Sequence, residues 1–249
     1  MKRILKIGMD VHTTNYTLCA MEPIIGEDDR VFATIKVTPD YKNILMFIEN
    51  LKLKLGLNDE YDIQCGYEAG CLGYSLYNQL TAVGIKCVIL APTTMLTPQG
   101  VRIKTDMRDA YMIAQCLSYG GYHAVYIPTE DDDSVKEYLR MRNDHKLALK
   151  KIKQQINAFC IRHGFCYDGT KWTLSHLKWL KKLEITNGLY RETLDEYMAS
   201  YEEQEAKIER YDKRIGEIAE QTRYHDKVKK LECFLGIKTH TALSLIVET

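Results

Sequence analysis

The sequence predicts an α/β domain built on a mixed sheet, followed by an α-helical coiled-coil region. Three observations carry this reading. Up to residue 128, short runs rich in β-branched and aromatic residues alternate with stretches of helical period. Beyond residue 129 the pattern is almost wholly helical. From Tyr190 onward, apolar or near-apolar residues recur at alternating steps of four and three.

The elements follow in order. Arg3–Met9 is an apolar run that ends at Asp10 and reads as a first strand. Tyr16–Met21 and Val31–Val37 are the second and third strands. The Gly26–Arg30 stretch between them has turn chemistry, so these strands form a meander of antiparallel hairpins. Asp40–Leu55 places Ile44, Phe47, Ile48 and Leu51 on one helical face, with Gly56 as a stop. Tyr61–Tyr67 is a fourth strand that runs into Glu68, and Leu72–Val83 is a helix stopped by Gly84. Lys86–Leu90 is a buried strand ending at Pro92, and Thr105–Tyr119 is a helix with Thr105 as its N-cap. Three strands, helix, strand, helix, strand, helix is the order of the ribonuclease-H-like fold, a mixed sheet with helices on both faces.

In the second region, spanning 129–230, Glu130-Asp131-Asp132-Asp133 suits the positive end of a helix dipole. The seam then runs Tyr190, Leu194, Tyr197, Tyr201, Gln204, Ile208, Tyr211, Ile215, Ile218 and Thr222. That is about four heptads, the length at which a coiled coil is expected. A second seam runs Leu149, Ile152, Ile156, Phe159. The two form an antiparallel hairpin or dimerise, and helices 132–163 and 190–222 are the expected route to a homo-oligomer, a dimer or tetramer.

Hydrophobic residues make up 45% and charged residues 27%, which excludes collagen, low-complexity disorder and a disulfide scaffold. The eight cysteines form no C-x-x-C pair, so zinc-finger spacing is absent and most read as small buried hydrophobes. No apolar run approaches the roughly 20 residues that span a membrane. The N-terminus lacks a signal-peptide core. The expected location is the cytoplasm.

The formal net charge is zero, from 34 basic and 34 acidic residues, but the charges are segregated. Residues 136–182 carry 12 basic and 3 acidic groups, net +9, whereas residues 183–222 carry 5 basic and 11 acidic, net −6. The basic stretch includes Arg140, Arg142, Lys146, Lys150, Lys153 and Lys178, with Trp172 and Trp179 able to stack on unpaired bases. A polyphosphate chain is its natural partner. The same pattern also fits lysines paired with the acidic helix that follows.

Four acids stand where acids are awkward. Asp10 ends an apolar strand, Glu68 follows another, and Asp106 and Asp109 share one side of a helix. Each has a commonplace reading alone: a turn residue, a cap, a first-turn acid, a solvated surface acid. Together, in a sheet whose first and fourth strands are parallel neighbours, they converge. Divalent cations remove their repulsion, and an oxygen ligand set selects Mg2+ or Mn2+. Such ions serve in-line attack on a phosphodiester. His12 lies two residues from Asp10 on the same strand face, in reach of the metal site or a phosphate; such a histidine is more often simply packed, and it is not counted among the site residues. Arg102 and Lys104 precede Asp106 and suit phosphate contact.

These residues resemble the DEDD transposases of bacterial insertion sequences, the "one-ten" family that also includes the pilin-inversion recombinases. The matching strings are Ile7-Gly8-Met9-Asp10-Val11-His12, Tyr67-Glu68-Ala69-Gly70 and Lys104-Thr105-Asp106-Met107-Arg108-Asp109-Ala110. The Trp172-to-Leu180 segment, Trp-x-x-x-His-x-x-Trp-Leu, matches as well. The resemblance implies a RuvC-like first domain over 1–128, with Asp10, Glu68, Asp106 and Asp109 as metal-binding catalytic acids. It also implies an RNA-guided recombinase acting on DNA, assembled through the coiled coil. Family members continue into a helical domain bearing a serine nucleophile. Leu235–Ala242 resembles the start of that domain, with Leu for Pro and Lys for Gly, and Ser244 does not match the nucleophile's motif. Residues 231–249 are thus expected to be the truncated start of that domain. The alternative is a non-catalytic nucleic-acid-binding or regulatory fragment that oligomerises with a full-length transposase. A sugar-kinase-like reading finds no glycine-rich phosphate loop.

Overall fold

The structure is a computed structural model describing residues 3–24, 29–56, 61–95 and 105–248. The chain divides into two units, 1–127 and 128–249. In the first, β1 (Arg3–Val11), β2 (Tyr16–Glu22) and β3 (Arg30–Val37) precede α1 (Tyr41–Leu55), β4 (Tyr61–Glu68), α2 (Ser75–Ala82), β5 (Lys86–Leu90) and α3 (Asp106–Tyr119). The sheet order is β3-β2-β1-β4-β5. β1 pairs antiparallel with β2 and β2 with β3, while β1–β4 and β4–β5 are parallel. This is the ribonuclease-H-like arrangement, reached in the expected order. Most of the expected Gly26–Arg30 turn lies outside the described residues.

The period of two sorts the sheet into faces. Leu5, Ile7 and Met9 of β1 join Leu18, Ala20, Cys65 and Tyr67 in a core with Ile44, Phe47, Ile48 and Leu51 of α1 and Leu76 and Leu80 of α2. The other face belongs to α3. A Cβ on Gly8 would lie 2.1 Å from the Ala110 carbonyl oxygen and 2.3 Å from the Ala114 nitrogen, so only glycine lets this helix approach so closely. Asp40 caps α1, accepting the Lys42 N–H at 2.9 Å, and Gly56 ends it with φ 57°.

Two boundaries differ from expectation. β1 runs on to Val11, because pairing with β2 continues through Asp10↔Thr17 and Val11↔Tyr16; Asp10 therefore sits within a paired strand. α2 starts at Ser75 rather than Leu72, since turn residues with Gly73 at φ 53° fill the gap. After α3 the chain returns to the edge of β5, where Leu90 bridges Ala124 and the Val125 N–H donates to the Ile89 carbonyl at 2.8 Å.

The second unit holds α4 (Glu130–Arg162), α5 (Leu174–Lys182), α6 (Gly188–Ala219), α7 (His225–Glu232) and α8 (Thr239–Glu248). Val135 and Leu139 of α4 pack with Ile215 and Ile218 of α6, while Ile156 and Phe159 pack with Leu194 and Met198. The helices are therefore antiparallel, and the seam is filled within the chain. Gln204 is a buried polar residue in that seam; its amide donates to the His145 carbonyl at 3.2 Å and lies 2.8 Å from His145 Nδ1. A satisfied polar pair of this kind fixes helix register. Five cysteines are buried and all eight are free. Among the described residues no helix is long and apolar enough to cross a membrane.

Candidate functional site

Asp10 lies near the carboxyl end of β1 and shares the face of Gly8, towards α3. Its cross-strand partner is Thr17, whose own partner on β3 is Lys36. Directly opposed residues point to the same side of a sheet, so Asp10, Thr17 and Lys36 form one row. The first turn of α3 adds Asp106 and Asp109. Asp10, His12 and Asp106 each offer a ligand atom, and the three atoms lie within 4.8 Å of one another. His12 Nε2 is 3.1 Å from Asp10 Oδ2, and Lys36 Nζ donates to Asp106 Oδ2 at 2.8 Å.

The charges of this cluster are unequal. The Asp10 side chain is 14% exposed. Burial raises its pKa, with His12 opposing and the Asp109 and Asp106 charges adding to the rise. Asp106 is more open, and Lys36, through its hydrogen bond and its charge, holds that carboxyl below the usual range. Thr17 is fully buried, and its hydroxyl finds no hydrogen-bond partner among the described residues. Two carboxylates and an imidazole in reach of one point, an acid short of positive charge, and an orphaned hydroxyl in the same row fit a divalent cation.

Glu68 ends β4. The register pairs Met9 with Tyr67, and Gly66 faces Leu117 of α3, so Glu68 comes to the same end and face as Asp10. Among the described residues, no metal-sized group of three includes Glu68 or Asp109. The close triad thus contains two of the four expected acids and adds His12, for which the sequence left contact with the metal site and simple packing both open. Lys36 and Thr17 went unnoticed; the signal that could have found them was the register across three antiparallel strands.

A family model for DEDD transposases of the IS110 type, described as "Transposase", matches residues 7–161. The chain belongs to this IS110 transposase family. A transposase for insertion sequence element IS1533 from Leptospira borgpetersenii is 34% identical over 252 residues, spanning 100% of this chain and 70% of that one. Two solved RuvC structures align with a TM-score of 0.33 each: T. thermophilus RuvC in complex with Holliday junction substrate, at 12% identity, and Thermus thermophilus RuvC, at 11%. Each alignment covers 49% of this chain and 99% of the other.

In this transposase the expected nucleic-acid residues fall into three groups. Arg102 and Lys104 lie outside the described residues. Some of the rest are engaged within the chain. Arg140 pairs with Glu137 one turn before it. Arg142 grips Asp212 of α6 at two points, 2.7 and 2.9 Å. Lys153 sits 5.3 Å from the ring centres of both Trp172 and Tyr201 and 3.4 Å from Glu205. Trp172 itself is half-buried and stacked on Tyr201 at 5.4 Å. Its backbone has φ 66°, and its N–H donates to Nδ1 of the buried His176 at 3.1 Å. The last group, Lys146, Lys150 and Lys178, is exposed and carries no ion pair among the described residues.

Proposed function

We propose that this IS110-family transposase acts on DNA phosphodiesters through a divalent-cation site, with Mg2+ or Mn2+ as the ion. Asp10 and Asp106 hold the cation, and Glu68 and Asp109 complete the acidic set. The observation that carries the reading is the meeting of Asp10, His12 and Asp106 within 4.8 Å at the end of β1. When bound, the ion supplies Lewis-acid polarisation of a phosphoryl oxygen and lowers the pKa of an attacking hydroxyl or water. The chain's own groups do the rest. His12 steers the Asp10 carboxylate from 3.1 Å. Lys36 pairs with Asp106 and, when the ion takes that carboxylate, is freed as a positive charge where a phosphate arrives. Exposed Lys146, Lys150 and Lys178 track the nucleic-acid backbone. By family resemblance the chemistry is guided by a structured RNA, and assembly into a dimer or tetramer uses outer faces of α4 and α6, in the cytoplasm.

Calorimetric titration with Mn2+ tests the site. The wild-type chain binds the ion, and Asp10→Asn weakens binding at least about tenfold, because a ligand and a charge are both lost. Nicking of supercoiled plasmid follows the same order. Unchanged Mn2+ affinity in Asp10→Asn would overturn the assignment.

A further inference from the structure

A pocket of about 140 Å³ opens in the helical unit, between the end of α4 and the loop and helix that follow. Asn157 and Ile161 of α4, Tyr167 and Lys171 of the loop, and His176 and Trp179 of α5 help to line it. Ile161 is 67% exposed, which puts the mouth of the pocket at the surface. Three of its side chains carry flat rings and lie together. The ring centres of Tyr167 and His176 are 4.8 Å apart, those of Tyr167 and Trp179 5.2 Å, and His176 and Trp179 stack at 5.7 Å. His176 is 2% exposed, and its Nδ1 accepts the Trp172 N–H at 3.1 Å. Burial first, and Lys171 second, lower its pKa, so the ring is neutral at about pH 7 and carries its one N–H on Nε2. Trp172 makes that bond from φ 66°, a conformation that bulky residues rarely adopt. Strain of that kind is kept where it holds a functional group in place. Of the two tryptophans, Trp172 is spent against Tyr201, whereas Trp179 lines the pocket.

We propose that this pocket takes one unpaired pyrimidine base of a nucleic-acid strand, with the flanking phosphates on Lys171 and the lysines beside it. The rings offer π-faces on which a base stacks. The Asn157 amide offers a donor and an acceptor together, the pairing that reads a base edge. Lys171 is the only charged group of the lining among the described residues, and exposed Lys178 and Lys182 flank Trp179 on α5. Size selects the base: a cavity of about 150 Å³ accepts one benzene-sized ring, and the two fused rings of a purine exceed it. The inference rests on the nucleic-acid reading above and adds to it a point where a base, and not the backbone alone, is held.

Fluorescein-labelled single strands bound by the full chain, followed by anisotropy across a salt series in EDTA, test it. A thymine DNA decamer binds about tenfold more tightly than an adenine decamer, or than a decamer of abasic sites with the same phosphates. The unlabelled thymine decamer quenches the tryptophan fluorescence, to which only Trp172 and Trp179 contribute. Asn157→Leu keeps the shape of the side chain and suits a helix, so the melting temperature stays level. In that variant thymine-decamer affinity falls about tenfold, while the abasic decamer binds as before. In Lys171→Gln the slope of log K against log salt falls by about 0.7, one single-strand phosphate contact. A uracil RNA decamer run beside the thymine one separates the sources, the tighter of the two naming the strand. Wild-type binding that is absent or flat in salt overturns the nucleic-acid reading, and this inference with it. Salt-dependent binding that is equal for the thymine and abasic decamers, or that Asn157→Leu leaves untouched, overturns the pocket alone. An adenine decamer bound as tightly as the thymine one overturns the single-ring fit. Should Asn157→Leu melt early, the wild type's thymine-to-abasic ratio and its fluorescence quench decide.

Discussion

Gly8→Ala is the sharpest single perturbation of this fold. The new methyl group would sit 2.1 Å from the Ala110 oxygen and 2.3 Å from the Ala114 nitrogen, both backbone atoms of α3. Backbone cannot rotate aside as a side chain can. α3 has to withdraw by roughly 1 Å to restore an ordinary contact. Overpacking by one methyl group costs about 1–3 kcal/mol, and a rigid obstacle places this case near about 3 kcal/mol. For a chain of this size that corresponds to a loss of roughly 10 °C in melting temperature. The same movement carries Asp106 away from Asp10, so Mn2+ affinity falls by about tenfold or more. Gly66→Ala is the control: its methyl group meets Leu117 Cδ2 at 2.7 Å, a flexible side-chain end, and costs about 1 kcal/mol. Thermal melts followed by circular dichroism and Mn2+ titration of both variants decide the matter. A Gly8→Ala protein that melts with the wild type and binds Mn2+ equally would refute the close approach of α3 to β1.

Three further outcomes follow from particular contacts. Lys36→Gln frees the Asp106 carboxylate from its 2.8 Å partner, so Mn2+ binds more tightly; calorimetry that shows equal or weaker binding counts against Lys36 as a competing cation. Arg142→Ala leaves Asp212 without its two-point partner and costs the helical unit about 1–3 kcal/mol in urea melts, while the Lys146→Ala/Lys150→Ala double variant keeps its stability and loses about 1.8 in DNA salt slope. Burial, with Lys171 nearby, lowers the His176 pKa in the folded chain. The unfolded chain therefore takes up the proton first on acidification, and stability present above about pH 6.5 is lost as the pH falls towards the folded value. His176→Asn, which keeps an acceptor for the Trp172 N–H, flattens that loss; an unchanged pH dependence of the urea midpoint would point to another group.

The sheet was legible because each of its strands is a short apolar run bounded by turn chemistry, and because the helices between them carry their own stops, such as Gly56 at φ 57°. The acids were legible as misfits: Asp10 in an apolar run is costly unless something uses it. What escaped was whatever depends on register. Lys36 reads as an ordinary solvent-facing strand residue until pairing sets it across Thr17 from Asp10. His12 was noticed, but nothing in its neighbours distinguishes a packed imidazole from one placed 3.1 Å from a carboxylate. The start of α2 was misjudged because Leu72 and Tyr74 continue a helical apolar spacing, while Gly73 at φ 53° breaks it.

The helical unit shows why a charge total says little about partners. Two readings of the basic stretch competed, nucleic-acid contact and pairing with acidic groups of the same chain, and the second accounts for some of its cations. Arg142, Lys153 and Lys181 meet Asp212, Glu205 and Glu202 of α6, and Lys136 meets Glu248. Arg142 and Lys153 align an antiparallel hairpin whose apolar seam is already closed within the chain, while Lys181 ties α5 to α6 and Lys136 ties α4 to α8. Lys146, Lys150, Lys151, Arg162, Lys171, Lys178 and Lys182 are exposed and unpaired among the described residues. An unpaired lysine on a surface is cheap to keep hydrated and gains only when counterions leave a polyphosphate on contact. The two sets are therefore separable by experiment: loss of the first is expected to lower the stability of the helical unit, and loss of the second to change only the salt dependence of nucleic-acid binding. A seam spent inside the chain also moves any assembly of copies onto outer surfaces, where Leu189 at the start of α6 is an exposed apolar group.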